Sequence, residues 1–150
     1  KVWSDFYRLN NSKLSKKKKL EFYSIFANYW HAESSYRDLI TALMEVNSKV
    51  ESSFSSKIQH TKYPEMPIID SKVVQLLGWN LPSKQVTVSS KIKETERLIE
   101  RLNSFYSSCF MKDGWSDISQ SFDEYLGVQD FQYTNVKKID ILLWQRDAVN

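Results

Sequence analysis

"KKLEFYSIFANYWHAESSYRDLITALMEVNSKVESSFSSKIQ", residues 18–59, contains neither glycine nor proline. Steps of four and three through it give Phe22, Phe26, Tyr29, Glu33, Tyr36, Ile40, Leu43, Asn47, Val50, Phe54 and Lys57, and eight of these eleven positions are apolar or aromatic. Apolar residues at that spacing share one face of an α-helix, and sustained over several heptads they form the seam of paired helices. β-branched strand formers are sparse in the stretch, which argues against a strand. The pattern predicts one helix over about 18–59, roughly 60 Å long at ~1.5 Å per residue. Glu33 and Asn47 interrupt the seam at the same heptad position. A polar side chain facing a partner helix fixes register at some cost in stability, so both are candidate interhelical register residues.

A second seam follows. Val88, Ile92, Thr95, Ile99, Leu102, Tyr106 and Cys109 repeat the four–three step and predict a long helix over about 86–112. Between the two seams, Pro64 and Pro67 exclude a helix through the connector 60–71. Asp70 or Ser71 then caps a short helix bearing Val73, Val74, Leu76 and Leu77, which Gly78 terminates. Beyond Gly114, Ser116 is placed to cap a helix bearing Ile118, Phe122, Tyr125 and Leu126, which ends at Gly127. A last helix begins near Asn135, and Val2, Trp3, Phe6 and Leu9 predict a short helix at the N-terminus. The expected fold class is all-α: an elongated helical bundle with two long heptad-patterned helices and short N- and C-terminal ones.

Composition agrees with that reading. Only three Gly and three Pro occur in 150 residues, too few for the tight turns of a sheet protein. Aromatic content of 14% predicts a core built on large rings. The length suits a single domain over 1–150. The first residue is Lys1 rather than Met, so excision from a longer chain is part of the expectation. Cys109 is the sole cysteine, which excludes an internal disulfide and favours an intracellular setting, cytoplasmic or nuclear. No apolar run is long enough for a transmembrane segment.

Catalytic signatures are absent from the sequence. His31 and His60 have no Cys or second His at ligand spacing, so no metal site is expected. Cys109 falls on the second seam and reads as packing. Asp123 and Glu124, and the group Glu94, Glu96 and Glu100, read as solvated helix faces. The three glycines are isolated, so no phosphate loop exists. No cofactor and no catalytic residue is expected, and an enzyme with an unrecognised pocket is the weakest reading.

The charge distribution is the main functional signal. Net charge is only +3, yet Lys16, Lys17, Lys18 and Lys19 are consecutive and Lys13 lies just before them. These five lysines are the candidate binding residues for an anionic partner. They read either as a solvating loop ahead of the first helix or as a contact for an acidic surface. Nucleic acid is disfavoured, because the neighbouring aromatics fall on the seam rather than being exposed for stacking. The leading expectation is a non-enzymatic protein–protein interaction or assembly subunit, a scaffold, tether or adaptor with a protein partner or a second copy of itself. The alternative is a binding module for an anionic membrane surface.

Overall fold

In the computed structural model the described residues are 15–83, 87–127 and 133–146. Among them lie seven helices and no strand: α1 (Lys16–His31), α2 (Tyr36–Asn47), α3 (Ser52–Lys62), α4 (Ser71–Leu76), α5 (Val88–Phe110), α6 (Trp115–Leu126) and α7 (Asn135–Arg146). The all-helical class expected from the sequence is found. The expected N-terminal helix at Val2 to Leu9 lies outside the described residues. No helix among those described is long and apolar enough to cross a membrane.

The single helix expected over 18–59 is instead three helices. The first break carries a capping box: the Ser35 hydroxyl accepts from the Asp38 amide (3.2 Å) while the Asp38 carboxylate accepts from the Ser35 amide (2.9 Å). The two side chains satisfy orphan donors that a continuous helix would not have. The second break follows Asn47. Ser48 adopts the left-handed conformation, φ 55°, and its amide closes on the Met44 carbonyl at 2.6 Å. The apolar periodicity runs on across both breaks, which is why the sequence reads as one helix.

The three short helices fold back on one another, and the seam becomes its own partner. α1 packs on α2 and α2 on α3. Phe22, Tyr29, Leu39, Leu43 and Ile58 form one buried cluster, flanked by Phe26, Tyr36 and Phe54. Phe22 stacks on Phe54 with ring centroids 5.1 Å apart. A long exposed apolar stripe is removed from water within one chain, with no second molecule required.

The residues of the second seam lie on α5, which starts at Val88 and ends at Phe110 rather than spanning 86–112, and is capped by the Thr87 hydroxyl on the Ser90 amide. Its inner residues Leu98, Ile99, Leu102 and Tyr106 bury against Ile69, Val73 and Val74 of the α4 region and Val136 and Ile139 of α7. Asp70 caps α4 as expected, accepting from the Lys72 and Val73 amides. The cap of α6 is Gly114 with φ 84°, not Ser116, so α6 starts at Trp115. Tyr36 borders both clusters.

Small hydroxyls of α3 join the two clusters. Ser55 pairs with the Tyr36 hydroxyl (2.9 Å), Ser52 with Thr95 of α5 (2.7 Å), and Ser56 accepts from the buried Ile69 amide (2.9 Å). Lys62, at the end of the same helix, donates to the Tyr29 and Ala32 carbonyls at 2.7 and 2.6 Å, closing the C-terminus of α1.

Two substitutions test this arrangement. Ser48→Gly should stabilise the protein by up to about 1 kcal/mol, because glycine adopts a positive φ without strain. In an unbroken helix the same change would cost about 0.5–1 kcal/mol, so the sign of the melting shift decides between the two. Ser56→Ala should cost about 1–3 kcal/mol in urea unfolding, because the buried Ile69 amide loses its acceptor. A loss below about 0.5 kcal/mol would show that this amide has a substitute.

Candidate functional site

Lys16 to Lys19 form the first turn of α1 and not a loop ahead of it. The Ser15 hydroxyl caps that turn by accepting from the Lys18 amide (3.3 Å), and no acidic residue lies in it. Four cations at the positive end of a helix dipole cost a few tenths of a kcal/mol each. Lys16 and Lys17 are exposed, as is Leu20 on the next turn. Lys18 turns inward and donates to the Asn47 side-chain carbonyl at 3.3 Å. Lys13 lies outside the described residues.

The two candidate register residues part company. Glu33 is exposed in the connector between α1 and α2, outside any helix. Asn47 ends α2, accepts from Lys18 of α1, and donates to Glu51 at 2.5 Å across the turn into α3. It therefore ties three helix ends together within one chain.

The other residues singled out are also placed. His31 is exposed at the end of α1. His60 is buried with Nδ1 2.6 Å from the Met66 carbonyl, and burial holds its pKa below the ordinary histidine value. Cys109 is half-buried against the second cluster, and desolvation raises its thiol pKa. Glu96 forms a two-pronged contact with Arg37 of α2, at 2.8 and 2.5 Å, which lowers the Glu96 pKa. Among the described residues no group of three or more His, Cys, Asp or Glu could hold a metal ion.

Helix α6 stands apart. It has no buried residue; it packs on α7, and Trp115 at its start packs against the second cluster. A buried ammonium holds it there: Lys138 of α7 donates to Asp123 (2.6 Å) and the Ser119 hydroxyl (2.7 Å). Trp115, Ile118, Phe122 and Leu126 follow the helical spacing of an apolar stripe. Ile118 and Leu126 nevertheless remain 49% and 41% exposed, and Met111 and Tyr125 beside them almost fully so. Asp117 and Glu124 are exposed on the same helix, which contains no Lys or Arg.

A second feature escapes the sequence reading. Asp140 of α7 is buried and accepts from the Tyr106 hydroxyl through Oδ1, while its Oδ2 is buried without a hydrogen-bond partner. Burial raises the Asp140 pKa to about 6, with the Tyr106 hydrogen bond and Lys137 opposing the shift and Asp70 adding to it. Tyr106 is itself pushed upward by burial and by the neighbouring carboxylate. Asp140 lines a cleft of about 660 Å³ among α3, α4 and α7, whose walls carry Lys57, Lys72, Lys137 and Trp144. Only the tertiary fold brings these residues together. The one advance signal is an acidic residue, Asp140, beside the apolar positions of a short helix.

Comparison with known proteins finds no matching family model, no matching curated protein and no matching solved structure. Function is therefore read from the side chains and surfaces themselves.

Asp140 gives a pH signature. Its ordinary pKa is 3.8 and its folded value about 6, so between these the folded chain holds the extra proton. Stability from this group thus falls as pH rises through that window, and the penalty is complete above it. His60, kept neutral by burial, acts in the opposite direction nearby. The depressed Asp38 and Glu96 lose their contributions only at lower pH. The readout is consequently a difference. From about pH 7 to about pH 5 the wild type should gain a few degrees in melting temperature relative to Asp140→Asn. Parallel melting curves for the two proteins would show that Asp140 titrates in its ordinary range.

Proposed function

We propose that this chain is a non-enzymatic assembly subunit whose docking element is α6, and that the occupant of α6 is the basic start of α1 from a second copy. The observation that carries this reading is α6 itself, a helix that buries none of its residues and leaves Ile118, Tyr125 and Leu126 exposed. Exposed apolar patches rimmed by polar residues are characteristic of interaction surfaces. The choice of occupant rests on charge. Asp117 and Glu124 are exposed next to the exposed Ile118 and Tyr125 on α6, whereas Lys16 and Lys17 precede the exposed Leu20 on α1. Opposite charge steers and registers such a contact, and the lysines at the α1 N-terminus gain the counter-charge that their own helix denies them. Joining two different surfaces makes the contact head to tail, which gives rings or open chains according to geometry.

A second reading has one observation in its favour. Lys16 and Lys17 and, on the next turn, Leu20 are all exposed, a combination that suits an anionic membrane surface. That reading uses α1 alone and leaves α6 without a part.

Sedimentation velocity at low salt tests the proposal. Mass should rise with concentration, and salt should reverse the rise. The pair Asp117→Lys and Glu124→Lys should give a monomer, and so should Lys16→Glu with Lys17→Glu. Mixing the two charge-reversed proteins should restore assembly, since each then meets a complementary surface. A wild-type monomer at every concentration, or a mixture that stays monomeric, would overturn the self-assembly reading. Flotation with phosphatidylserine vesicles addresses the second reading, which requires lipid binding by the α6 variant as well.

A further inference from the structure

We propose that Asp113–Gly114, in the turn leading from α5 into α6, is a site of spontaneous backbone rearrangement, in which the aspartate becomes an isoaspartate and the start of α6 comes loose from α5. The reaction needs an Asp or Asn followed by a small residue. It also needs a side chain free to turn back on the chain, and a following amide nitrogen that is not already engaged as a donor. Among the described residues four pairs of Asp or Asn before Gly or Ser occur: Asn47–Ser48, Asp70–Ser71, Asn103–Ser104 and Asp113–Gly114.

The structure separates the four. The Ser48 amide donates to the Met44 carbonyl at 2.6 Å, and the Asn47 carboxamide is held by Lys18 and Glu51. The Asp70 carboxylate accepts from the Lys72 and Val73 amides. Asn103 and Ser104 lie in the interior of α5, where backbone amides are committed to the helical ladder. Asp113–Gly114 has none of these restraints. The Asp113 side chain and the Gly114 amide have no hydrogen-bond partner among the described residues. Residues 111–114 are all exposed, and a Cβ on Gly114 would meet nothing within 4 Å. One hydrogen bond closes the turn, from the Trp115 amide to the Lys112 carbonyl at 3.1 Å. Glycine leaves the attacking nitrogen uncrowded and lets the backbone rotate.

The chemistry balances with water alone. The Gly114 nitrogen attacks Cγ of the protonated Asp113 carboxyl and forms a bond to it, while the carboxyl hydroxyl leaves as water with the amide proton. The resulting cyclic imide then takes up one water. Cleavage between the nitrogen and Cγ restores aspartate. Cleavage between the nitrogen and the Asp113 backbone carbonyl leaves the chain running through Cβ and Cγ, an isomer of equal mass with one extra methylene in the main chain. That added length falls between the Lys112 carbonyl and the Trp115 amide, so the bond that closes the turn opens. Trp115, whose ring lies 5.5 Å from that of Phe110 and packs against the second cluster, is then displaced. No partner takes part, so this inference stands or falls independently of the assembly reading.

Ageing of the full chain in neutral buffer at physiological temperature, sampled over weeks, tests the site. Isoaspartate is detected by methyl transfer from labelled S-adenosylmethionine with a protein isoaspartyl methyltransferase, and placed by electron-transfer mass spectrometry. In the folded chain it should accumulate at residue 113 and not at 47, 70 or 103. An exposed turn gives little protection, so the rate at 113 should match that of the urea-unfolded chain within roughly threefold. Asp113→Glu keeps the charge but closes its larger imide ring far more slowly, and serves as the unrearranged control. Amide hydrogen exchange over residues 115–120 should be equal in the two fresh proteins and faster in aged wild type than in aged Asp113→Glu. Absence of isoaspartate at 113, or accumulation there more than about tenfold slower than in the unfolded chain, would overturn the proposal. So would earlier accumulation at 47, 70 or 103 in the folded chain, or α6 exchange that is the same in both aged proteins.

Discussion

The serines of α3 hold this fold together. The two buried clusters belong to different stretches of chain, one built by α1 to α3 and the other by α4, α5 and α7. Ser52, Ser55 and Ser56 reach from α3 to α5, to Tyr36 of α2 and to the Ile69 amide. Larger apolar residues at those positions would fill the space but leave the Tyr36 hydroxyl and the Ile69 amide without their partners, and buried polar groups left unpaired are expensive. The small hydroxyl satisfies both requirements, close approach and a donor or acceptor. The path of the chain after Lys62, through Pro67 to the cap of α4, follows from where Ile69 is pinned.

That arrangement leaves α6 outside. Every other long element contributes to a buried cluster, whereas α6 is attached by the Lys138 contact and by rings at its ends, such as Phe110 against Trp115 at 5.5 Å. A buried ammonium sharing a carboxylate and a hydroxyl fixes the orientation of α6 on α7, because an ammonium deprived of either partner would be strongly destabilised. The helix is thus held on α7 while Ile118, Tyr125 and Leu126 stay exposed. A docking surface requires that combination of fixed geometry and unburied apolar area.

Asp140 is the second departure from an economical core. An asparagine or an apolar residue would avoid the raised pKa and the unpaired oxygen. Carboxylates held in this state cluster at functional sites more than at structural ones. Asp140 also belongs to the lining of the cleft among α3, α4 and α7.

The sequence alone determined the helical class and the approximate places of α4, α5 and α7, since these follow from local periodicity and from breaks at Pro and Gly, while the cap of α4 stayed open between Asp70 and Ser71. It did not determine that residues 18–59 fold back on themselves. The heptad pattern is the same whether the partner face is another chain or the next helix, and only the Ser35–Asp38 box and the left-handed Ser48 mark the breaks. Asn47 was read as a candidate register residue on a continuous helix, whereas its partners are Lys18 at the start of α1 and Glu51 at the turn into α3. The lysine run was visible in the sequence, and its place inside the first turn of α1 was not. The exposure of α6 and the meeting of Lys57, Lys72, Lys137 and Asp140 at one cleft belong to the tertiary structure. An amphipathic pattern states that a face is apolar, and only the packing of the whole chain decides whether that face is covered.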